Sequence, residues 1–271
     1  VTKSNSRITK TKGTTMTLED KSPAERARLT RLYPMLISSR PGAGKSRSIE
    51  QLPPEELKRT IYIDLENKGA PNLFDDDFYK VVRIKPEGLI PADKAHLYKD
   101  TDNVLYKSLS ELMLYIRKAL ASPKIDRLIL DSFTALVDQL ESHYVTVHNG
   151  FTTWVQYSKA LTDWFSLLKD ETRFNSKFVY VLGHYVPAKD AKDTDAEKFT
   201  KVKGTMHYRM VEANFNSVLT INDQKFVADN DNEWDSTRIN EKLNPLETKD
   251  NSIQELEQLI ADTFLAKSET K

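Results

Sequence analysis

Cysteine is missing altogether from the 271 residues. That excludes a disulfide framework and thiolate metal sites, and it suits a reducing compartment. An excess of either charge is missing too. Forty Lys and Arg balance forty Asp and Glu, so the whole-protein field does not call for nucleic acid, and only a local patch can. No apolar run approaches the roughly 18 residues that span a bilayer, and the first residues hold no apolar signal core. A cytoplasmic protein without membrane contact is expected. What remains is ordinary globular material. With 39% hydrophobic and 30% charged residues, a packed core is within reach and general disorder is not expected. No internal repeat and no long linker divides the chain, so one domain with tails is expected.

The opening stretch, "VTKSNSRITKTKGTTMT", carries Lys3, Arg7, Lys10 and Lys12 and no acid. It reads as a flexible basic arm, taken here as residues 1–28, ahead of a domain at 29–271. Order begins near Ser22, where "SPAERARLTRL" has a cap-then-proline helix start. "YPMLIS" reads as a buried strand, "KSRSIEQL" as a helix, and "RTIYIDLE" and "YKVVRI" as two more strands. Apolar residues at Val104, Leu105, Leu109, Leu112, Met113, Ile116 and Leu120 predict one long helix from Asn103. "DRLILDS" is a fourth strand, residues 151–170 a second long helix, and "KFVYVLGHY" a fifth strand. "ANFNSVLTI" and "QKFVADN" pair as a hairpin over Asn222-Asp223, and "NSIQELEQLIADTFLAK" closes the chain as an amphipathic helix. Strands alternating with helices predict an α/β fold with a mostly parallel sheet covered on both faces.

The segment from Ser39 to Arg47, "SRPGAGKSR", carries the first chemistry. A strand, a glycine-rich turn and a helix would aim backbone N–H groups into one concavity, and the helix dipole would favour an anion there. Gly42 and Gly44 let the backbone approach phosphates, Lys45 would reach the outer phosphates, and Ser46 would ligate Mg²⁺. Ser39 stands where the eight-residue phosphate-loop template has glycine, yet the phosphate-facing half is intact. Ser39, Arg40, Pro41, Gly42, Ala43, Gly44, Lys45, Ser46 and Arg47 are therefore the expected nucleotide-binding residues. The competing reading is a chance Gly-rich turn.

Asp131 ends a run of apolar residues and should sit at a strand tip facing the same crevice, as the second metal anchor beside Ser46. Its other reading is a cap of the helix "SFTALVDQL". Glu66, in "IYIDLEN", is the expected base that orients the attacking water, with Asp64 in reserve. A solvated strand-end carboxylate is the alternative. His184, after the fifth strand, stands where a side chain could sense the terminal phosphate. It reads equally as a structural histidine.

The order "RPGAGKS … YIDLE … LILDS … YVLGHY … KVKG … VEANFNSVLTI" resembles the phage-encoded RecA-like P-loop ATPases of single-strand annealing and recombination, over roughly residues 33–265. Through that resemblance Glu66 corresponds to the catalytic glutamate, Asp131-Ser132 to the metal-binding Asp-Ser, and His184 to the polar residue after the fifth strand. Lys203-Gly204, Val211-Glu212 and Phe215–Ile221 match the later block that points to the phage group. The chain departs from the group at Ser39, and at "DSTRIN", where the group has a lysine followed by Ser-Pro. The resemblance implies ATP and Mg²⁺ as cofactors, DNA-stimulated hydrolysis, self-association in a ring or filament, and a host-cell cytoplasmic setting with a recombination partner protein. It also places single-stranded DNA on the loop after the fifth strand. There the basic half supplies Lys198, Lys201, Lys203 and Arg209, with His207 and Tyr208 available for stacking on a base. RecA-like ATPases borrow a cation from a neighbouring subunit, and Arg238 is the first candidate here, ahead of Lys201 and Lys203. Its plainer reading is a surface ion pair with Asp235 or Glu241.

Two other classes share the phosphate loop. A small-molecule P-loop kinase would carry an arginine-rich lid, which this chain lacks. A nucleotide-switched loader or assembly protein would dock a protein partner through its terminal segments. Trp154, Tyr157, Leu161 and Trp164 fall at helical spacing and read as core rather than as a stacking platform.

Overall fold

The computed structural model describes residues 18–85, 100–147, 150–187, 198–200, 211–230 and 237–265. Its centre is a sheet built on the apolar runs found in the sequence. In chain order the strands are β1 (Met35–Ser39), β2 (Thr60–Asp64), β3 (Lys80–Ile84), β4 (Val104–Lys107), β5 (Arg127–Asp131), β6 (Phe178–Pro187), β7 (Lys198–Thr200), β8 (Ser217–Asn222), β9 (Lys225–Ala228) and β10 (Leu246–Glu247). They lie in the order β10-β9-β8-β1-β6-β5-β2-β3-β4, with β7 paired to the end of β6. Every pairing from β8 through β4 is parallel, while β8–β9, β9–β10 and β6–β7 are antiparallel.

Side-chain alternation sorts the core into two layers. Met35 and Ile37 face one side, with the helices α1 (Pro23–Leu29) and α6 (Ile253–Leu265). Leu36 faces the other, with α3 (Leu109–Ala121), α4 (Phe133–Val147) and α5 (Phe151–Asn175). The α/β, mostly parallel sheet with flanking helices, late hairpin and C-terminal helix is thus as expected. One further helix, α2 (Pro54–Leu57), leads into β2.

Register positions the chemistry. Ser39 on β1 lies beside His184 on β6, and Asp64 on β2 lies beside Asp131 on β5. Four parallel strands therefore deliver the glycine-rich loop after β1, Glu66, Asp131 and His184 to one edge of the sheet.

Several expectations need correction. The helix expected after the phosphate loop is only a 3-10 turn, Ser46–Ile49. The prolines at 53 and 54 follow at once, α2 begins there, and no room is left for a long helix before β2. The long helix expected from Asn103 is a strand followed by a helix. Ser108 caps α3, with its side chain accepting from the Glu111 N–H and Glu111 reaching back to the Ser108 N–H. The hairpin turns over Asp223-Gln224, both at positive φ (46° and 59°), one residue later than expected. Trp154 is 43% exposed, whereas Tyr157, Leu161 and Trp164 are buried. Within the expected arm, residues 18–28 are no free tail: Leu18 is buried and α1 carries a complete capping box, while 1–17 lie outside the described residues.

Candidate nucleotide-binding site

Along the sheet edge runs a cleft of about 710 Å³, lined by Pro41, Gly42, Gly44, Lys45, Ser46, Arg47, Glu66, Lys68, Asp131, Thr134, Asp138 and His184, among others. The loop from Arg40 to Lys45 shapes one wall. Gly42 and Gly44 both adopt positive φ (78° and 90°), a backbone that an L side chain resists. Gly44 is also crowded, because a Cβ there would meet Asn251 Nδ2 at 2.7 Å. That amide donates to the Gly44 carbonyl at 2.9 Å and ties the start of α6 to the loop.

Lys45 is the most confined cation of the cleft, only 5% exposed. Its ammonium donates to the Ser39 carbonyl (3.1 Å), the Ser39 hydroxyl (3.0 Å), the Arg40 carbonyl (3.0 Å) and His184 Nδ1 (3.1 Å). The serine that breaks the glycine template is thus an acceptor for this lysine. Burial pulls the amine down to about 8, against the opposing pull of Asp131 and Glu66.

The histidine extends the chain of contacts. With Lys45 donating to Nδ1, the ring proton sits on Nε2, which donates to Glu66 Oε1 at 3.2 Å. Burial and then the Lys45 charge lower the His184 pKa, against the opposing pull of Glu66, which favours the neutral ring. Its backbone N–H is pinned by Thr134 Oγ1 at 2.9 Å. Glu66 Oε1 also accepts from the Ser132 hydroxyl at 2.6 Å, and Oε2 from Lys68 at 2.5 Å. Burial pushes the Glu66 carboxyl up, but the bonds from Lys68, Ser132 and His184 prevail and hold it at about 2.

Asp131 lies on the other side of Ser46. Its Oδ2 accepts from Ser46 Oγ at 2.6 Å and Tyr62 Oη at 2.8 Å. Burial raises its pKa, and those two hydroxyls oppose the rise. A serine hydroxyl hydrogen-bonded to a carboxylate is a hard-oxygen pair that suits Mg²⁺ carried in on phosphates, which needs few protein ligands.

Asp64, the reserve base, is buried and otherwise engaged. It accepts from the backbone of Lys68 (3.2 Å) and Gly69 (2.9 Å) and from Arg83 Nε (3.0 Å). It shapes the loop that carries Glu66. Arg238 is absent from the cleft lining: it pairs with Val218 across a β-bridge, and its guanidinium donates to the Phe215 and Glu212 carbonyls. These contacts engage it within its own chain; of the two acids expected as its partner, Glu241 is not among these contacts and Asp235 lies outside the described residues. Lys201, Lys203, His207, Tyr208 and Arg209 lie outside the described residues, and of Lys198 only the backbone, in β7, is described. Lys68, Thr134 and Asn251 were not anticipated from the sequence.

Ala43 lines a smaller adjoining pocket of about 250 Å³ with Arg47, Ile221, Asp223, Gln224 and Asn251. Among the described residues no helix is long and apolar enough to cross a membrane.

No family model and no curated protein matches the chain. Among solved structures it is similar to a KaiC-like protein from the hyperthermophilic archaeon Pyrococcus horikoshii, at 13% identity and a TM-score of 0.39 over 69% of each chain. The fold itself is of the α/β class, a mostly parallel sheet with the loop after β1 at its edge.

Proposed function

We propose that the cleft binds a nucleoside triphosphate, ATP in the first instance, as its Mg²⁺ complex and hydrolyses it. The observation that supports this best is the unbroken chain Lys45–His184–Glu66–Ser132 alongside the Ser46–Asp131 pair in one cleft. A phosphate-loop lysine, a metal-binding hydroxyl and a water-orienting carboxylate are what phosphoryl transfer to water requires. The bound complex supplies the phosphoanhydride and the divalent charge. The chain supplies the rest. Lys45 exchanges its carbonyl partners for phosphate oxygens, and Ser46 and Asp131 hold the metal side. His184 and Ser132 fix Glu66 so that it orients water. The adjoining pocket offers a place for the base and ribose. A carboxylate held at about 2 is a weak proton acceptor, so its role is orientation, with proton transfer late in the reaction.

The finer reading is an annealing or recombination factor in which hydrolysis is coupled to single-stranded DNA and to self-association. One feature supports a coupling route. β6 runs on directly from His184 to Pro187, and its Tyr185–Pro187 segment pairs with β7, the start of the basic segment. Exchange of nucleotide at His184 would move that pair.

The test is ATP turnover by the full chain with and without single-stranded DNA. Lys45→Ala should abolish nucleotide binding in a folded protein. Glu66→Gln should retain binding and lose most turnover. Undiminished hydrolysis in Lys45→Ala would overturn the site assignment. Absence of DNA stimulation in an active ATPase would favour a switch acting on a protein partner.

A further inference from the structure

Lys68 is a charged group in the cleft that has no role in the scheme above. Its backbone is held firmly. The chain turns at Asn67 (φ 55°), and the N–H groups of Lys68 and Gly69 both donate to Asp64. Asp64 is buried and bonded to Arg83, which forms a two-point bridge to Asp75 at 2.8 Å. The lysine side chain, by contrast, is 74% exposed, and its charged contact is Glu66 Oε2 at 2.5 Å. A rigid base thus carries a movable charged arm that reaches into the cleft.

That contact has a consequence for Glu66. Ser132 and His184 occupy Oε1, and Lys68 occupies Oε2. While Lys68 stays in place, both oxygens already accept hydrogen bonds from the protein. The lysine half of this pair is solvent-exposed, so the ammonium can leave Glu66 for a stronger acceptor at little cost in packing. The terminal phosphate of a triphosphate carries more negative charge than a carboxylate and offers several oxygens to an ammonium.

We propose that Lys68 is a movable cation shared between Glu66 and substrate. It covers Glu66 Oε2 until a terminal phosphate enters the cleft, then transfers to that phosphate and uncovers the carboxylate for water. This rests on the triphosphate reading above and deepens it. It provides a phosphate-facing cation from within one subunit, and it makes Glu66 available only when there is a bond to cleave. A diphosphate lacks the third phosphoryl group, so no phosphate stands next to Glu66 to draw the lysine away.

Equilibrium binding of Mg·ATP and Mg·ADP to the full chain tests this. Lys68→Met should weaken ATP about tenfold and leave ADP within about twofold, because one charge-assisted contact is lost to the terminal phosphate alone. Lys68→Arg should restore most of the preference. In single-turnover reactions at saturating ATP, Lys68→Met should also be slower. An unchanged ATP-to-ADP ratio in a Lys68→Met protein that still binds both nucleotides would overturn the role of Lys68 and leave the nucleotide site standing. Faster turnover in Lys68→Met would make Lys68 a cover only and overturn its transfer to phosphate. Failure of the parent chain to bind either nucleotide would overturn the nucleotide reading, and this inference with it.

Discussion

Replacing Lys45 by methionine should make the nucleotide-free protein more stable while destroying its function. Burial holds the amine down from 10.5 to about 8. At about 1.4 kcal/mol per tenfold change in proton affinity, carrying this charge costs the native state about 3 kcal/mol near neutral pH. The sign follows from linkage. The native lysine binds its proton less tightly than the unfolded one. The penalty is therefore full below about 8, shrinks as pH rises, and is gone above 10.5. Methionine removes the charge but strips donors from the Ser39 and Arg40 oxygens, which costs about 1–2 kcal/mol. The net gain near pH 7 is about 1–2 kcal/mol, or a Tm higher by roughly 2–6 °C in a domain of this size. Near pH 10 the remaining penalty is below about 1 kcal/mol and the advantage should vanish or reverse. Thermal unfolding of both proteins across this pH range is the assay. Saturating Mg·ATP should reverse the order at neutral pH, since ligand at about a hundred times its Kd stabilises only the parent, by about 2.7 kcal/mol. A Lys45→Met protein less stable near pH 7, or a Tm difference that does not change with pH, would show that the native fold carries no such penalty for this charge.

Asp131→Asn should weaken nucleotide binding chiefly in the presence of Mg²⁺, so that the affinities with and without metal converge in titrations. Asn251→Ala removes the amide that holds the Gly44 carbonyl and should cost about 1 kcal/mol of nucleotide affinity, read by equilibrium binding, with little change in the urea midpoint. Arg127→Met should destabilise by about 3–5 kcal/mol in urea unfolding, because it leaves the fully buried Glu56 and Glu257 without their shared cation. Adding Glu56→Gln and Glu257→Gln should recover much of that loss.

The strands were legible in the sequence where they are buried on both faces, because continuous apolar runs such as those of β1 and β5 admit few other readings. The placement of the candidate site residues on those strand ends was legible for the same reason: a polar residue that ends such a run emerges at the sheet edge. What sequence could not separate was a strand from a helix in phase with it. Val104 and Leu105 continue the spacing of α3, although the Ser108–Glu111 capping box marked the true boundary. Periodicity also says nothing about where the packing partner ends. The 25-residue α5 is about 37 Å long, roughly twice the span of a five-residue strand. Its first turns outrun the core, and Phe151, Trp154 and Val155 are left exposed. The contacts of Lys68 and the capture of Arg238 by backbone carbonyls depend on turns and long-range neighbours that no local pattern encodes.

β5 is only five residues long, yet its two ends do unrelated work. Arg127 at its first position joins Glu56 before β2 to Glu257 on α6, and Asp131 at its last position faces the cleft. About 13 Å of strand separates them. The fold's ionic fastening and its chemistry are therefore at opposite ends of one rod. Side chains at the cleft end can be exchanged without loosening the far end, which leaves the cleft rim open to redesign on an unchanged scaffold.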